Sequence, residues 1–313
     1  MRRGLRRILN REWAAPLLLI GVCLFFSVAS PRFATEANLG ALARHTSEGA
    51  FIAAGMALVI LTGGIDLSVG SIAGLAGMVC GLLVHAAHGS AFLAVLGGVG
   101  VGLVAGSANG ALIGFTRLAP VVVTLASWAG CRSAAYLLTH GDPVGGLPDS
   151  LMALSVWNVA GWVPLPTLVA AIIAVTISVV LHRTAWGRSM IAMGRNRAAS
   201  RFSGLPNAPR VLSAYAASGL LAGLAGVWMT ARAGAAVPDG GTGMELEAIT
   251  AVLLGGGRIE GGNVSMSGAM AAAAALGALH NGCDLMGWDS SWQTLVVGLC
   301  LLGAAAARGR QRS

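Results

Sequence analysis

The chain contains a long series of apolar segments that are separated only by short polar breaks. Ten of them are predicted as membrane spans, at residues 14–30, 42–62, 66–86, 91–115, 120–139, 165–182, 211–231, 244–257, 264–282 and 291–307. A helix needs about 20 apolar residues to cross a bilayer, so the eighth span is short and is expected to be tilted, broken or shielded by neighbours. With 56% hydrophobic and 10% charged residues, the composition excludes a soluble globular protein. The sequence therefore predicts an all-α fold, a polytopic transmembrane helical bundle that forms a single domain over residues 1–313.

All basic residues are arginine, and they are divided unequally between the two sides of the predicted bundle. If both termini are cytoplasmic, 16 of the 20 arginines fall on the cytoplasmic side. Arg32, Arg44 and Arg232 fall outside, and Arg132 lies within a span. Cytoplasmic loops of membrane proteins carry an excess of basic residues. The distribution predicts an even number of spans with both termini cytoplasmic, and it gives no indication of a nucleic-acid partner.

The densest group of arginines lies between the sixth and seventh spans, at about residues 183–210. Met190, Ile191 and Met193 recur there at helical spacing, after Gly187. The pair Gly204 and Pro206 is typical of a helix stop. A loop that only retains positive charge needs no such order, whereas a short amphipathic helix often forms a docking surface. We therefore predict that this segment both stays in the cytoplasm and contacts a soluble partner.

Glycines at every fourth position form a ladder in the fourth span, at Gly98, Gly102, Gly106, Gly110 and Gly114. Further pairs with this spacing occur at residues 70 and 74, 77 and 81, and 219 and 223. Such residues let helix backbones approach closely, so the ladder predicts tight helix packing. A smooth surface that allows sliding is a functional alternative that the glycines alone do not distinguish.

Two glycine-rich breaks interrupt the apolar runs, at residues 63–71 (GGIDLSVGS) and 255–262 (GGGRIEGG), on the same predicted side. The simpler interpretation of the first is a tight turn in which Asp66 and Ser68 cap the next helix. The alternative is a broken helix beside a transport pathway, with polar backbone groups lining a cavity. The second break lacks the Lys-Ser/Thr ending of a phosphate-binding loop.

Polar residues within membrane spans usually face the protein interior or a cavity. On this basis the candidates for a substrate pathway are Asp66, Ser68, Asn109, Thr124 and Asn281. Arg132 is expected to pair with an acidic residue that the sequence does not identify. Glu245 and Glu247 are expected near the outer end of their span, where solvent reaches them, and Asp284 also falls at membrane depth.

Neither an enzyme active site nor a metal site is indicated by the reactive residues. The six histidines show no metal-ligand spacing, and no two of the five cysteines have CxxC spacing. No nucleophile and base stand in a recognisable arrangement. We expect no catalytic residue, no metal and no cofactor.

Several segments in order resemble the membrane permeases of ATP-binding-cassette importers, in the group for ribose, xylose, rhamnose and autoinducer sugars. The resemblance covers most of the chain, at residues 63–71, 108–114, 120–125, 183–204, 215–232, 238–262 and 281–282. By this resemblance, a coupling role for contact with the ATPase belongs to Gly187, Arg188, Gly194, Asn196, Ala198, Ala199, Arg201, Ser203 and Gly204. The chain departs from the family pattern at Arg197, where an acidic residue is usual, and at Phe202, where leucine is usual.

The resemblance implies a permease subunit in the bacterial inner (plasma) membrane that forms the path for a monosaccharide of pentose or hexose type. It implies three kinds of protein partner: a second copy or a sister permease, cytoplasmic ATP-binding subunits that hydrolyse ATP, and a periplasmic sugar-binding protein. One alternative is a stand-alone secondary transporter or channel, in which Asp66 would be the buried acid. Another is a related permease for nucleosides or branched-chain amino acids, in which Arg132 could bind the carboxylate.

Overall fold

The computed structural model describes residues 14–87, 89–116 and 118–309, and their regular secondary structure is helical apart from one short β-hairpin and one isolated β-bridge. The helices are α1 (Ala14–Ala29), α2 (Glu36–Leu61), α3 (Val69–Ala86), α4 (Ala91–Phe115), α5 (Pro120–Leu137), α6 (Asp149–Val156), α7 (Leu165–Arg183), α8 (Ala185–Arg195), α9 (Arg197–Phe202), α10 (Asn207–Ala233), α11 (Met244–Leu254), α12 (Met266–Leu285) and α13 (Ser290–Gly309). The strands β1 (Asn158–Val159) and β2 (Val163–Pro164) pair antiparallel. The predicted all-α fold is confirmed. The arginines before Trp13, Arg117, and the last two arginines lie outside the described residues.

Four helices in the described part of the chain, α3, α4, α7 and α10, are long and apolar enough to cross a membrane. Helix α1 and residues 291–303 of α13 are apolar but shorter. The second, fifth and ninth predicted spans are also helices, as α2, α5 and α12, but they are less apolar. Helix α7 joins the β-hairpin to α8. We therefore call the two ends of the bundle the hairpin end and the α8 end.

Helix α2 forms the centre of the bundle. It is buried without interruption from Ala50 to Leu61, and it packs against α7, α10, α11 and α12. Thr35 precedes it and caps its first turn by accepting a bond from the Asn38 amide. Near the hairpin end, the Phe51 ring stacks on Trp228 of α10, with 5.3 Å between ring centroids. A helix that is apolar on all sides is stable only when neighbours cover it, as they do here.

The glycine ladder of α4 packs directly on the backbone of α10. A Cβ built on Gly106 would overlap the backbone of Tyr215 and Gly219, and one built on Gly102 would overlap Gly219 and Gly223. The predicted tight helix contact is therefore confirmed, and the partner is α10. The glycines of the two helices face one another, so few side chains separate the two backbones.

The segment between α10 and α11 enters the bundle instead of remaining at its surface. At the hairpin end, Ala236 exchanges two backbone hydrogen bonds with Val144, at 2.8 and 2.9 Å. From there the segment runs inward along α3, as three successive contacts with glycines of α3 show. A Cβ built on Gly81 would meet Ala236, one built on Gly74 would meet the carbonyl oxygens of residues 238 and 240, and one built on Gly70 would meet that of residue 241. We call residues 234–243 the re-entrant segment.

Helix α11 begins where the re-entrant segment ends, near the middle of the bundle. It starts beside Gly70, in the first turn of α3, and Gly70 lies in the chain between Asp66 of the first break and Ala73 of α3. Asp66 contacts Ser218, and Ala73 contacts Gly226. Ser218 and Gly226 lie on either side of the middle of α10, so the start of α11 is at a similar depth. With 11 residues, α11 rises about 16 Å, roughly half of a bilayer core. The eighth predicted span is thus a half-helix, and non-helical backbone is tolerated at this depth because protein surrounds it.

Candidate functional site

A buried hydrogen-bond network joins the first glycine break to α4 and α10. Gly63 turns the chain with φ +79°, which brings Asp66 into the interior before α3 begins. Asp66 Oδ1 accepts bonds from Ser68 N (3.1 Å) and Ser68 Oγ (2.5 Å), and Asp66 Oδ2 accepts one from Ser218 Oγ (3.0 Å). Asn109 Nδ2 donates to Ser68 Oγ at 2.9 Å. The structure therefore brings three of the predicted pathway residues together, with Ser218 as a fourth member.

This network is closed to solvent and internally satisfied. Asp66, Ser68 and Ser218 are fully buried, and Asn109 is 3% exposed. The capping interpretation of the break is correct for Asp66, which accepts the Ser68 N–H. It is wrong for the Ser68 side chain, which makes no capping bond although the residue occupies the N-cap position. The hydroxyl is instead committed to Asp66, so the network fixes the start of α3 against two other helices.

The two remaining pathway candidates lie in different places. Thr124 is fully buried beside the break, where Oγ1 donates to Pro120 O at 3.0 Å and also lies 3.4 Å from Ile65 O. Asn281 belongs to α12, and its side-chain amide exchanges two 2.9 Å bonds with that of Asn38. Asn281 therefore joins α12 to the start of α2 and takes no part in the Asp66 network.

The predicted coupling segment forms two helices, α8 and α9, rather than one. Asn196 separates them with an extended backbone (φ −156°, ψ 99°), and its Oδ1 caps α9 by accepting a bond from Ala199 N at 2.9 Å. Thr184 caps α8 through Gly187 N, so Gly187 lies in the first turn of α8, before the apolar residues Met190, Ile191 and Met193. The predicted stop is confirmed, since α9 ends just before Gly204, which has φ +74°.

The nine predicted coupling residues divide into structural and exposed groups. Gly187 and Gly194 pack against neighbouring backbone, while Asn196 and Ser203 make hydrogen bonds to the backbone of α9. The others are exposed, namely Arg188, Ala198, Ala199, Arg201 and Gly204. Phe202 was noted only as a departure from the family pattern, yet it is 93% exposed at the end of α9. A fully exposed aromatic side chain beside an arginine, here Arg201, is typical of an interface.

The two glycine breaks meet each other and α8 at one point. Gly262 N donates to Leu61 O at 2.9 Å, and a Cβ built on Gly194 would overlap both residues. Gly261, with φ +93°, adjoins the backbone of Gly63 and Gly194. We call these five residues the glycine junction. The sequence placed the breaks on the same side, but it did not show that α8 contacts both of them.

Helix α9 is attached to α10 through Asn207, the first residue of α10. Asn207 Oδ1 accepts a bond from Ser200 Oγ at 2.7 Å, and its Nδ2 donates to Arg197 O at 3.1 Å. Ser200 is buried, whereas the residues around it in α9 are exposed. A force applied to α9 therefore reaches α10 through side-chain hydrogen bonds as well as through the connecting chain.

Arg132 binds backbone carbonyls, and its predicted pairing with an acid is not found among the described residues. Arg132 Nη1 donates to Pro238 O at 2.6 Å and to Gly240 O at 3.0 Å, and so holds the re-entrant segment. The expected outer position of Glu245 and Glu247 is also wrong. Both belong to the first turn of α11, which begins near the middle of the bundle because the re-entrant segment has already passed through the half nearer the hairpin end.

Glu48 and Arg232 form an ion pair that sequence reasoning missed. Arg232 Nε and Nη2 lie 2.6 and 3.0 Å from the two carboxylate oxygens of Glu48, in the bidentate geometry that favours such pairs. Glu48 is 2% exposed within the second predicted span, so an acidic residue inside an apolar run was the available signal. His280 Nδ1 lies 3.8 Å from Glu247 Oε1. No group of three potential metal ligands occurs among the residues that the structure describes.

Comparison with known proteins gives the same family over nearly the whole chain. The family model described as branched-chain amino acid transport system / permease component matches residues 38–305. The ribose import permease protein of Escherichia coli (strain K12) is 34% identical over 320 residues, covering 98% of each chain. That of Bacillus subtilis (strain 168) is 35% identical over 282 residues, covering 89% of this chain and 87% of its own.

A third relative carries a different sugar in its name. The D-allose transport system permease protein of Escherichia coli (strain K12) is 32% identical over 290 residues, covering 93% of this chain and 89% of its own. No solved structure matches significantly. The family match and the length of these similarities agree with the apolar helices and with the order of the motifs. The chain therefore belongs to this family of membrane permease components of ATP-binding-cassette transport systems.

Proposed function

We propose that the chain forms the translocation path of an importer for a monosaccharide of pentose or hexose type. The observation that carries this proposal lies at the α8 end. There the exposed helix α9 follows α8, and the backbone of α8 at Gly194 is in close contact with both glycine breaks. A secondary transporter or channel has no need of such a connected and exposed surface. The relatives named for ribose and allose support a sugar as the cargo.

The proposed assembly contains a second copy of the chain or a sister permease. Cytoplasmic ATPase subunits dock at the α8 end, and a periplasmic binding protein delivers the sugar at the hairpin end. The chain itself has no catalytic group and uses no cofactor, because ATP is used by the partner. Ten spans in the bacterial inner membrane, with both termini cytoplasmic, agree with the arginines at the α8 end and the scarcity of charge in residues 140–164.

In the proposed mechanism, ATP binding closes the ATPase pair and moves α8 and α9. The glycine junction transmits this movement to the end of α2 and to the second break, while Asn207 transmits it to α10. The Asp66 network connects the first break to α4 and α10, so these elements change position together. Such coupling requires that ATP and cargo bind the inward-facing and outward-facing states with different affinities.

Co-purification with the cognate ATPase tests the docking surface. Phe202→Ala and Arg201→Glu change exposed side chains of α9 without disturbing the fold, and we expect each to weaken recovery of the ATPase about tenfold or more. Arg32→Glu makes the same charge change on an exposed residue at the opposite end and should have no effect. Gly194→Asp is unsuitable for this purpose, because its side chain would overlap the glycine junction.

If folded wild type recovers no ATPase, the docking proposal is wrong and a secondary transporter or channel becomes the better interpretation.

A separate experiment identifies the cargo, by uptake competition in a reconstituted complex of permease, ATPase and binding protein. We expect competition by ribose or another monosaccharide, and none by a nucleoside or leucine. Competition by leucine alone would favour the amino-acid permease.

A further inference from the structure

Two buried atoms of opposite charge near the middle of the bundle have no hydrogen-bond partner. They are Arg132 Nη2 on α5 and Glu245 Oε2 in the first turn of α11. No ion pair within 4.0 Å joins them, but both lie against the same face of α3, Glu245 at Gly70 and Arg132 at Gly74 one turn further on. Burying an unpaired charged group is costly, and such a group in a native protein needs an explanation, which can be a functional role.

Each of the two side chains keeps one polar atom without a hydrogen-bond partner. Arg132 Nη1 is committed to the carbonyls of Pro238 and Gly240. Glu245 lies in the first turn of α11, and its Oε2 has no hydrogen-bond partner. The arrangement therefore presents one free donor and one free acceptor.

Two glycines of α3 provide the space for these charges. A Cβ built on Gly70 would overlap Glu245 Oε2, and one built on Gly74 would lie 3.0 Å from Arg132 Nη1. The pair was predicted to pack against another helix, but it packs against the re-entrant segment and the two charged side chains. A cavity of about 150 Å³ adjoins this place and is lined in part by Gly74, Gly240, Thr230 and Arg232.

We propose that Arg132 and Glu245 bind neighbouring hydroxyl groups of the cargo as it passes the middle of the bundle. The proposal rests on the proposed function and adds the residues that recognise the sugar. One hydroxyl accepts a bond from Arg132 Nη2, and the next donates a bond to Glu245 Oε2. The opposite charges cancel, so the site suits a neutral polyol. Helix breaks near the midplane of transporters commonly form such sites.

The geometry favours a polyol over an amino-acid zwitterion. A carboxylate binds best to two parallel N–H groups of an arginine fork, but here the Nη1 edge is already occupied by the re-entrant segment. Single hydroxyls need only one donor and one acceptor. Both free atoms are enclosed in the present conformation, so cargo reaches them when the re-entrant segment separates from α3 during the transport cycle.

The test measures uptake by the complete complex of permease, ATPase and binding protein in proteoliposomes. The variants are Arg132→Gln and Glu245→Gln, with Glu247→Gln in the same helical turn as the matched control. The probes are ribose and its monodeoxy analogues. We expect Arg132→Gln and Glu245→Gln each to lower ribose uptake per ATP hydrolysed about tenfold, because a bond to a charged group is lost. The Glu247→Gln control should transport normally.

The analogues give the sharper readout. In wild type, uptake of the deoxyribose that lacks the contacted hydroxyl should be about tenfold lower than uptake of ribose. In the variant that lacks the matching side chain, the two sugars should be taken up equally, since the same bond cannot be lost twice. Equal losses for every analogue, or unchanged ribose uptake in both variants, overturn the inference. A selective loss of leucine uptake in the variants overturns it in favour of a zwitterion site.

Binding-protein-stimulated ATP hydrolysis reports correct assembly of each variant. If Glu245→Gln fails to assemble, Glu245→Asp replaces it. The shorter side chain keeps the carboxylate but moves it away from the cargo, and uptake should show the same hydroxyl-specific loss. Wild type that hydrolyses ATP but imports no monosaccharide would reject the proposed function instead. The two failures are therefore distinguishable.

Discussion

The bond between Asp66 and Ser218 should be measurable as a coupling free energy between α10 and the first glycine break. Ser218→Ala removes one 3.0 Å bond to a fully buried carboxyl group. Bonds to charged groups contribute about 1.5–3 kcal/mol in soluble proteins, whereas interhelical bonds in membranes average about 0.6 and reach about 1.7 kcal/mol. The site is enclosed, so we expect a loss of about 1–2 kcal/mol in the free energy of unfolding.

Asp66→Ala should cost more, about 3–5 kcal/mol, because it removes the acceptor of three bonds and leaves buried donors unpaired. In the double variant the Ser218 bond is already absent, so the combined loss should be about 1–2 kcal/mol smaller than the sum of the single losses. Unfolding in mixed micelles with increasing denaturing detergent, followed by tryptophan fluorescence, measures each value.

Ser213→Ala is the matched control on the same helix. Ser213 Oγ donates to Arg210 O and accepts from Trp186 Nε1, and neither partner belongs to the Asp66 network. Its combination with Asp66→Ala should be additive within about 0.5 kcal/mol. Additivity of the Asp66 and Ser218 changes would refute the reasoning, because it would mean that the two groups do not interact in the folded protein.

Three further predictions concern helix packing and buried polar groups. Arg232→Gln should lower the free energy of unfolding by about 3 kcal/mol, since it leaves Glu48 charged and buried, while Glu48→Gln should cost clearly less because Arg232 is 37% exposed. Gly106→Ala should destabilise by about 1–3 kcal/mol through overlap with α10. Gly100→Ala, where a Cβ meets nothing within 4 Å, should stabilise by about 0.5–1 kcal/mol. Asn281→Ala should cost about 1–3 kcal/mol, because it removes both bonds to the Asn38 side chain and leaves Asn38 Oδ1 without its donor. Detergent unfolding checks all three, and equal effects at Gly106 and Gly100 would contradict the ladder contact.

The sequence predicted helices well where the apolar run and the span coincide. The fourth span was predicted at residues 91–115, and α4 occupies the same residues, because polar and turn-forming residues bound the run on both sides. The prediction of a full membrane span was wrong for α11, because its apolar run looks ordinary in sequence but begins in the middle of the bundle. The cause is the tertiary path of the re-entrant segment, which no local pattern records. For the same reason the depth of Glu245 was misjudged.

The candidate site was predictable where chemistry concentrates in one motif. Asp66 and Ser68 stand in a polar break between apolar runs, and a buried asparagine at Asn109 needs partners. Ser218 carries no such signal, since a serine in a helix rich in alanine and glycine is unremarkable by itself. Asn281 looked equivalent to Asn109 in sequence, but its partner Asn38 lies 243 residues away, and only the fold shows that pairing.

The close contact of α4 with α10 should make α10 move as a rigid rod, so that a tilt at one end displaces the other end. Helix α10 has 27 residues and a length of about 40 Å, and its glycine contacts with α4 leave few side chains that could change rotamer and absorb a displacement. A tilt of about 5° imposed at Asn207 would therefore move the far end of α10 by about 3.5 Å. The re-entrant segment is tied to that far end. A small rotation of α10 at Asn207 would thus produce a displacement large enough to separate residues 234–243 from α3.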